Sequence, residues 1–186
     1  MNHPLKLGGI LFLLTALCVG ILGGVNQITK PIIETNEKLA EEEAMRELIT
    51  SAEDFQIEIP NEESTIKKVA IAKQKGQTVG YVVRTEPNGY GGAIKLLIGI
   101  DKEGIVKGIS ILEHSETPGF GANADKQDFK SQFIDRKAPL KVSKNTPSEN
   151  EIQAITGATI TSAAITEAVN TATQYVSDHK MEWGNE

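Results

Sequence analysis

The first apolar segment of the chain runs from Leu7 to Val25 without a charged residue. As a helix, these 19 residues would span roughly 28 Å, close to the hydrocarbon thickness of a bilayer. A cleaved signal peptide would have a shorter apolar core and a small-x-small cleavage site, which the residues around Cys18 do not provide. The pattern therefore predicts an N-terminal segment, residues 1–30, that contains a retained single-pass transmembrane helix.

The charges that flank this segment predict its orientation. Lys6 precedes the apolar residues, whereas Lys30 is followed by five glutamates between residues 34 and 43. Basic residues favour the cytoplasmic side of a membrane, and acidic residues contribute little. We therefore place the amino terminus in the cytoplasm and the rest of the chain on the extracytoplasmic side of the cell membrane.

Residues 31–55 have the pattern of a helical stalk. Pro31 marks the exit from the membrane, and Asn36 caps a helix that extends to about Ser51. The apolar positions of this helix form an imperfect stripe: Leu39, Ala40, Met45, Leu48 and Ile49. A solvated charged helix is the alternative interpretation.

Alternating apolar and polar positions then predict four strands. Segments 67–73 and 78–85 form one hairpin around Gly76. Segments 93–100 and 104–112 form a second hairpin, joined by a turn in which Gly104 supplies a positive φ.

Two helices follow the predicted strands. A short helix covers residues 125–134, with Phe129 and Phe133 on one face. A longer amphipathic helix runs from Ile160 to His179, and its apolar face is formed by Ile165, Ala168, Val169, Ala172 and Val176. Five polar residues are expected to lie away from that face: Thr161, Ser162, Thr166, Asn170 and Thr173. Hairpins followed by helices indicate an α+β domain over residues 56–186, with a mostly antiparallel sheet and flanking helices.

Composition excludes several classes of function. The net charge is −6 and the pI is near 5.2, and no cluster of Lys and Arg alternates with aromatic residues, so no nucleic-acid partner is expected. The single cysteine, Cys18, lies in the apolar segment, so the chain can form no internal disulfide and cannot supply the thiolates of an iron–sulfur cluster. The three histidines are scattered along the sequence, and no metal site is expected.

A short polar turn, Thr156-Gly157-Ala158-Thr159, leads directly into the last predicted helix. A hydroxyl at this position lies beside the first, unpaired N–H groups of a helix, which receive a phosphate well. The simpler interpretation is a helix cap provided by Thr156, Thr159, Thr161 or Ser162. Because no base stands at a suitable spacing, Thr159 is a poor nucleophile and no catalytic residue is predicted.

Two glycine-containing loops are further candidates. Gly89-Tyr90-Gly91-Gly92 joins two predicted strands, either as a simple turn or as a backbone that lets a planar ligand approach closely. The second loop includes Pro118-Gly119, which suits the centre of a type II turn. Its Gly119-x-Gly121-x-x-Ala124 pattern does not indicate a Rossmann site, because it is separated from the preceding strand and no acidic residue follows about 20 positions later.

Together these motifs resemble one protein family. Four segments occur in the family's order: Tyr90-Gly-Gly92, the strand pair with Gly-Ile-Asp101 and Ile105-Val-Lys-Gly108, Glu116-Thr-Pro-Gly-Phe-Gly121, and Thr156-Gly-Ala-Thr-Ile-Thr-Ser162. This is the order seen in the FMN-binding domain of the G subunit of Rnf complexes, and it recurs in the related C subunit of the sodium-pumping NADH:quinone reductase. The short chain and the single span favour the Rnf subunit.

The resemblance implies that FMN is attached covalently to Thr159 through a phosphodiester. It also implies a set of further cofactor-binding residues: Thr156, Gly157, Ala158, Glu116, Thr117, Gly119 and Tyr90. Many members carry an aspartate six residues before the acceptor threonine, where this chain has Gln153. This difference leaves three alternatives. Either the flavin transferase tolerates the change, or Glu151 substitutes for the aspartate, or modification of this chain is less efficient. Phe120 replaces the usual leucine of the proline-glycine loop.

The function implied by the resemblance is that of an electron-transfer flavoprotein subunit. It would belong to a membrane-bound translocase that couples electron transfer between ferredoxin and NAD to ion translocation, and the isolated chain would have no activity. The implied partners are the A, B, C, D and E type subunits of the Rnf complex, a flavin transferase and the lipid bilayer. Two alternatives are a C-type subunit of a sodium-translocating NADH:quinone reductase and a redox-silent membrane-anchored scaffold.

Overall fold

The computed structural model describes residues 3–60 and 65–183 of the chain. Its helices are α1 (His3–Leu48), α2 (Gln127–Lys130) and α3 (Thr159–Trp183). Its strands are β1 (Asp54–Glu58), β2 (Ile66–Gln74), β3 (Gln77–Thr85), β4 (Lys95–Asp101), β5 (Ile105–Glu113), β6 (Arg136–Lys137), β7 (Lys141–Ser143) and β8 (Glu151–Gln153). The parts of the predicted segments 1–30 and 56–186 that fall on residues 1–2, 61–64 and 184–186 lie outside the described residues.

The chain divides into two compact units, Met1–Ala40 and Glu41–Glu186. Helix α1 is long and apolar enough to cross a membrane, and none of its most apolar window is buried within the protein. Large apolar side chains such as Phe12 and Leu22 are therefore exposed. This agrees with the apolar helix predicted from the sequence.

The predicted start of a separate helix at Asn36 is wrong. Helix α1 continues through Pro31 and Asn36 without a break. Pro31 lies inside the helix although a proline removes one backbone donor. Its carbonyl accepts a hydrogen bond from the Thr35 hydroxyl at 2.8 Å. The last turns of α1 lie in the second unit, Glu41–Glu186, and the boundaries at residues 30 and 55 stay predictions.

The second unit contains a six-stranded sheet in the order β1-β2-β3-β4-β5-β6, and every pairing is antiparallel. Both predicted hairpins are confirmed. Lys75 and Gly76 form the β2–β3 turn with φ values of 50° and 79°, the combination that a two-residue turn needs to match the twist of the strands. Gly104 supplies the positive φ, 86°, of the β4–β5 turn.

Both faces of this sheet are buried. On one face, Tyr81 and Val83 of β3 belong to a core that also contains the apolar side chains of α3. On the other face, Val82 packs in a cluster with Met45 and Ile49 from the end of α1. Glycine permits this second contact, since a Cβ at Gly99 would lie 2.9 Å from the Cβ of Leu48.

The segment predicted as one helix at 125–134 consists of three short pieces. A 3₁₀ helix, Gly121–Asp125, precedes α2, and a second 3₁₀ helix, Ser131–Phe133, follows it. Lys126 separates the first two pieces because its backbone is extended. The predicted apolar face is nevertheless confirmed, since Phe129 and Phe133 are buried with ring centroids 5.4 Å apart.

The apolar face of α3 is confirmed, but the placing of three polar residues is wrong. Thr161, Ser162 and Thr166 are all buried. Each is tolerated because its hydroxyl finds an acceptor: Thr161 donates to Glu116, Ser162 to the carbonyl of Ala158, and Thr166 to the carbonyl of Ser162. The first turn of α3 is therefore anchored in the domain by hydrogen bonds.

Candidate functional site

A cavity of about 510 Å³ lies at the amino end of α3, within the range of about 300–1,000 Å³ usual for small-molecule sites. Three chain segments line it, and they contribute Tyr90, Glu116, Thr117, Phe120, Gly121, Gly157, Ala158, Thr159, Ile160 and Thr161. Six of the eight residues predicted for the site are brought together here. The other two, Thr156 and Gly119, do not line the cavity, although each is adjacent in sequence to residues that do.

A tight turn leads the chain into α3. The N–H of Ala158 donates to the carbonyl of Ile155 at 2.9 Å, and Gly157 has a φ of 78°. Only glycine fits easily here, because a Cβ on Gly157 would also lie 2.7 Å from Cδ1 of Phe120. The turn thus brings Phe120 directly against the segment that carries Thr159.

Ser162 fastens the same turn from within the helix. Its hydroxyl accepts a hydrogen bond from the N–H of Ile155 and donates one to the carbonyl of Ala158, both at 3.0 Å. The two bonds close the segment into a compact loop beneath the cavity.

The interpretation of the motif as a hydroxyl helix cap is wrong. The carbonyl of Ala158 accepts the first intrahelical bond, from the N–H of Ser162 at 3.1 Å, so Ala158 occupies the cap position. An alanine side chain cannot accept a hydrogen bond from the helix. Within residues 3–60 and 65–183, no group accepts a hydrogen bond from the N–H of Thr159, Ile160 or Thr161. These donors remain available to a ligand.

The loop at residues 116–121 forms the wall opposite this helix. The N–H of Phe120 donates to the carbonyl of Thr117 at 3.1 Å, and Gly119 has a φ of 81°, which confirms a turn with Pro118 and Gly119 at its centre. The side chain of Phe120 is 54% exposed and that of Tyr90, on the third wall, is 74% exposed. Two aromatic side chains therefore stand at the rim of the cavity.

Among the residues that line the cavity, only Glu116 is charged. Its side chain is 6% exposed, and both of its oxygens are engaged inside the protein. Oε1 accepts from the N–H of Gly91 at 2.9 Å, and Oε2 accepts from the hydroxyl of Thr161 at 2.7 Å. The N–H of Glu116 itself donates to Nδ1 of His114 at 3.2 Å.

Gln153 and Glu151 lie in β8, away from the cavity lining. The N–H of Gln153 donates to the side chain of Gln132 at 2.7 Å. The carboxylate of Glu151 accepts from the N–H of Ser148 at 2.9 Å, and this hydrogen bond lowers the pKa of Glu151 below its ordinary value. The structure therefore gives Glu151 a local role in its own loop.

Taken together, these residues suit attachment of a ligand rather than bond cleavage. The site offers a partly buried threonine, three unpaired backbone donors and an aromatic rim. Of its lining residues, only Glu116 could act as a base, and its oxygens already accept two hydrogen bonds. An anionic group would be received by the backbone donors, and a planar group by the rim.

The cavity at the start of α3 and strands β4, β5 and β6 of the antiparallel sheet lie within a region that matches a known family of domains. Residues 89–174 match the family described as the FMN-binding domain, and residues 1–48 match the RnfG N-terminal region. The first match covers all three segments that line the cavity.

Two relatives extend the match over most of the chain. The G subunit of the proton-translocating ferredoxin:NAD(+) oxidoreductase complex of Clostridium ljungdahlii is 42% identical over 84% of this chain and 83% of its own. The G subunit of the Na(+)-translocating complex of Acetobacterium woodii is 38% identical over 91% of this chain and 89% of its own. The chain belongs to the family of G subunits of ion-translocating ferredoxin:NAD(+) oxidoreductase complexes.

The crystal structure of NqrC from Shewanella oneidensis has a similar fold. It superposes with a TM-score of 0.50 over 70% of this chain and 74% of its own, at 18% sequence identity. The similarity supports the predicted α+β fold, which is confirmed.

The eight predicted site residues leave out four that line the cavity: Phe120, Gly121, Ile160 and Thr161. Thr161 was expected to lie away from the buried face of α3, yet it is fully buried. The sequence could have indicated Thr161 as a lining residue, because Thr161 lies in the first turn of the helix, two residues after Thr159. A hydroxyl in this turn lies at the same end of the helix as the cavity.

Proposed function

We propose that this chain carries electrons within a membrane complex that couples electron transfer between ferredoxin and NAD to ion translocation, and that its carrier is FMN attached covalently to Thr159. The observation that carries the proposal is the placing of Thr159 in the cavity, beside three backbone N–H groups without a protein acceptor among the described residues. The activity belongs to the complex, and the isolated chain has none.

The residues present fit FMN. Thr159 would carry the phosphate, and the N–H groups at the start of α3 would donate to its oxygens. A phosphodiester keeps one negative charge, which the helix dipole favours by about 0.3–1 kcal/mol. This contribution is small, so the covalent bond retains the cofactor and the helix end orients it.

The two aromatic rim residues fit the planar part of the cofactor. Phe120 and Tyr90 supply apolar surface on two walls of the cavity, and Gly157 allows the backbone to approach closely. When bound, FMN supplies electron transfer in single steps or in pairs. The chain contributes the binding, the orientation and the surrounding electrostatics.

Attachment requires a separate enzyme, a flavin transferase. The Thr159 oxygen forms a new bond to phosphorus and the hydroxyl proton leaves. The donor's own bond to phosphorus breaks, and a flavin dinucleotide would release a nucleoside monophosphate. Since both oxygens of Glu116 are engaged in hydrogen bonds, the base for this step comes from the transferase.

The proposed partners are the other Rnf subunits, of A, B, C, D and E type, together with the bilayer that holds α1. We place the domain on the extracytoplasmic side, in keeping with the charges that flank the span. Covalent attachment suits that location, where a dissociated flavin would not be replaced. Proteolysis of sealed right-side-out vesicles should digest the domain, and protection of the domain would contradict this topology.

The attachment is tested by intact mass spectrometry and in-gel flavin fluorescence. The full chain, produced with a flavin transferase, should be heavier than its sequence by one FMN and should fluoresce. Thr159→Ala should lose both signals. Thr146→Ala is the matched control, since Thr146 is exposed, lies outside the attachment motif and does not line the cavity, and it should keep both.

The rival function is a redox-silent scaffold. It predicts an unmodified chain in every background, including with the transferase present. An unmodified wild-type chain, or a Thr159→Ala variant that still carries flavin, would contradict the proposed attachment at Thr159.

A further inference from the structure

We infer that Glu116 is a positioning residue of the attachment site, whose buried carboxylate holds the first turn of α3 against the two loops so that Thr159 is presented to the transferase. This rests on the proposed function and deepens it. The resemblance assigns Glu116 to the surroundings of the flavin ring, whereas the hydrogen bonds assign it to the protein itself.

The carboxylate connects all three walls of the cavity. Its own loop provides one wall. Oε1 reaches the N–H of Gly91, 25 residues away in sequence, and Oε2 reaches the hydroxyl of Thr161, 45 residues away. Because Thr161 and Thr159 share one helical turn, a bond that immobilises Thr161 also restricts Thr159.

The loops are built to enclose this carboxylate. A Cβ on Gly89 would lie 2.2 Å from Oε1, and a Cβ on Gly121 would lie 2.1 Å from Oε2. Neither glycine has a φ in the left-handed region. The space taken by the carboxylate, rather than the backbone conformation, therefore explains why glycine is needed at both positions.

The charge of Glu116 is not balanced by an ion pair. Among residues 3–60 and 65–183, no Lys, Arg or His forms an ion pair with it, and its partners are a backbone amide and a hydroxyl. Burying a carboxylate without a cation is costly. The two hydrogen bonds from Gly91 and Thr161 offset part of this cost, but only while the three walls of the cavity are in contact. They therefore favour the one arrangement of the three walls that the structure shows.

The test measures the rate at which a purified flavin transferase, given FAD, modifies the unmodified full chain in detergent. Two variants remove one partner each, Glu116→Ala and Thr161→Val. In each variant, the loss of the hydrogen bond between Glu116 and Thr161 should lower the rate of flavin transfer about tenfold, because a hydrogen bond to a charged group is lost. Because both variants break the same bond, the double variant should be about as slow as the slower single one.

Conservative variants provide the matched controls. Glu116→Gln keeps an acceptor for Gly91 and offers an amide N–H that the Thr161 hydroxyl can accept from. Thr161→Ser keeps the hydroxyl. Both should be modified within about twofold of the wild-type rate, since the geometry is retained. Such rescue would not follow if the Glu116 charge acted on the flavin directly.

Three results would overturn the inference: a wild-type rate for Glu116→Ala, effects of the two single variants that multiply in the double variant, or a Glu116→Gln rate as low as that of Glu116→Ala. Circular dichroism and Tm identify a variant that has lost its fold. If Glu116→Ala does not fold, the Thr161→Val and Thr161→Ser pair decides. An unmodified wild-type chain would instead contradict the proposed function, which separates the two failures.

Discussion

The position of Thr159 is determined by the residues on either side of it in the chain. Gly157 allows the turn before it, and the buried Ser162 closes that turn from the helix side through Ile155 and Ala158. The Thr159 hydroxyl therefore lies on a segment with hydrogen bonds at both ends. Sites held by such local bonds keep their geometry without the ligand.

Ser162→Ala should destabilise the domain by about 1–3 kcal/mol, because the N–H of Ile155 loses its acceptor. Ser177→Ala is the control, since Ser177 lies on the exposed side of the same helix and should change stability by less than about 0.5 kcal/mol. Urea unfolding of both variants measures the difference. Equal stabilities would show that the Ser162 bonds do not hold the turn.

At the scale of single residues, six of the eight predicted site residues line the cavity, Thr159 among them. The sequence did not predict the hydrogen bonds that join the walls of the cavity. The Thr-Gly-Ala-Thr motif and the loop glycines are local signals. The bond between Glu116 and Thr161 joins residues 45 positions apart, and no local pattern reports such a contact. This is why Thr161 was placed on the wrong side of its helix.

At the scale of elements, the long central strands were predictable because each contains β-branched residues in an alternating pattern. The strands missed by the prediction are short. Strand β1 alternates polar and apolar residues over only five positions at the edge of the sheet, where Phe55 is partly buried and Ile57 is exposed, and β6, β7 and β8 have two or three residues each. Such short strands depend on their partners rather than on their own sequence.

The end of α1 is fastened to the sheet by an ion-pair cluster. The carboxylate of Glu41 is 7% exposed and accepts from Lys68 at 2.7 Å and from Arg84 at 2.9 Å. These bonds connect the last turns of α1 with strands β2 and β3. Glu41 lies in the second unit of the chain, together with both of its partners.

Glu41→Ala should destabilise the domain by about 1–3 kcal/mol, since two partly buried cations lose their hydrogen-bond acceptor. Glu42→Ala is the matched control, because the Glu42 side chain is exposed on the same helix and its removal should have little effect. Thermal unfolding of the two full-length variants in detergent gives the comparison. Equal Tm values for Glu41→Ala and Glu42→Ala would show that the Glu41 ion pairs do not stabilise the contact between the end of α1 and the sheet.

At the scale of the whole molecule, alkaline pH should weaken the domain. Burial raises the pKa of Tyr81 above its ordinary value of 10.0. The folded state then holds the phenolic proton more tightly than the unfolded state, so stability is lost as the pH rises from 10 through the folded pKa.

Urea titrations between about pH 8 and pH 11 would measure this loss. Trp183 serves as the fluorescent probe, with its ring centroid 5.7 Å from that of Tyr81. Tyr81→Phe keeps the ring without the ionisable hydroxyl, and its stability should fall less steeply over the same interval. Parallel curves for the two proteins would rule out Tyr81 as the group responsible.

The order of the strands in the large sheet governs how the protein matures. Each of its strands after the first pairs with the one before it in the chain, so the sheet can grow hairpin by hairpin as synthesis proceeds. The cavity is different, since one wall comes from Gly157–Thr161, which follow all six strands of the large sheet in the chain. The strands of the sheet therefore precede the completion of the cavity along the chain, and a polypeptide interrupted before Gly157 would have these strands without that wall of the cavity.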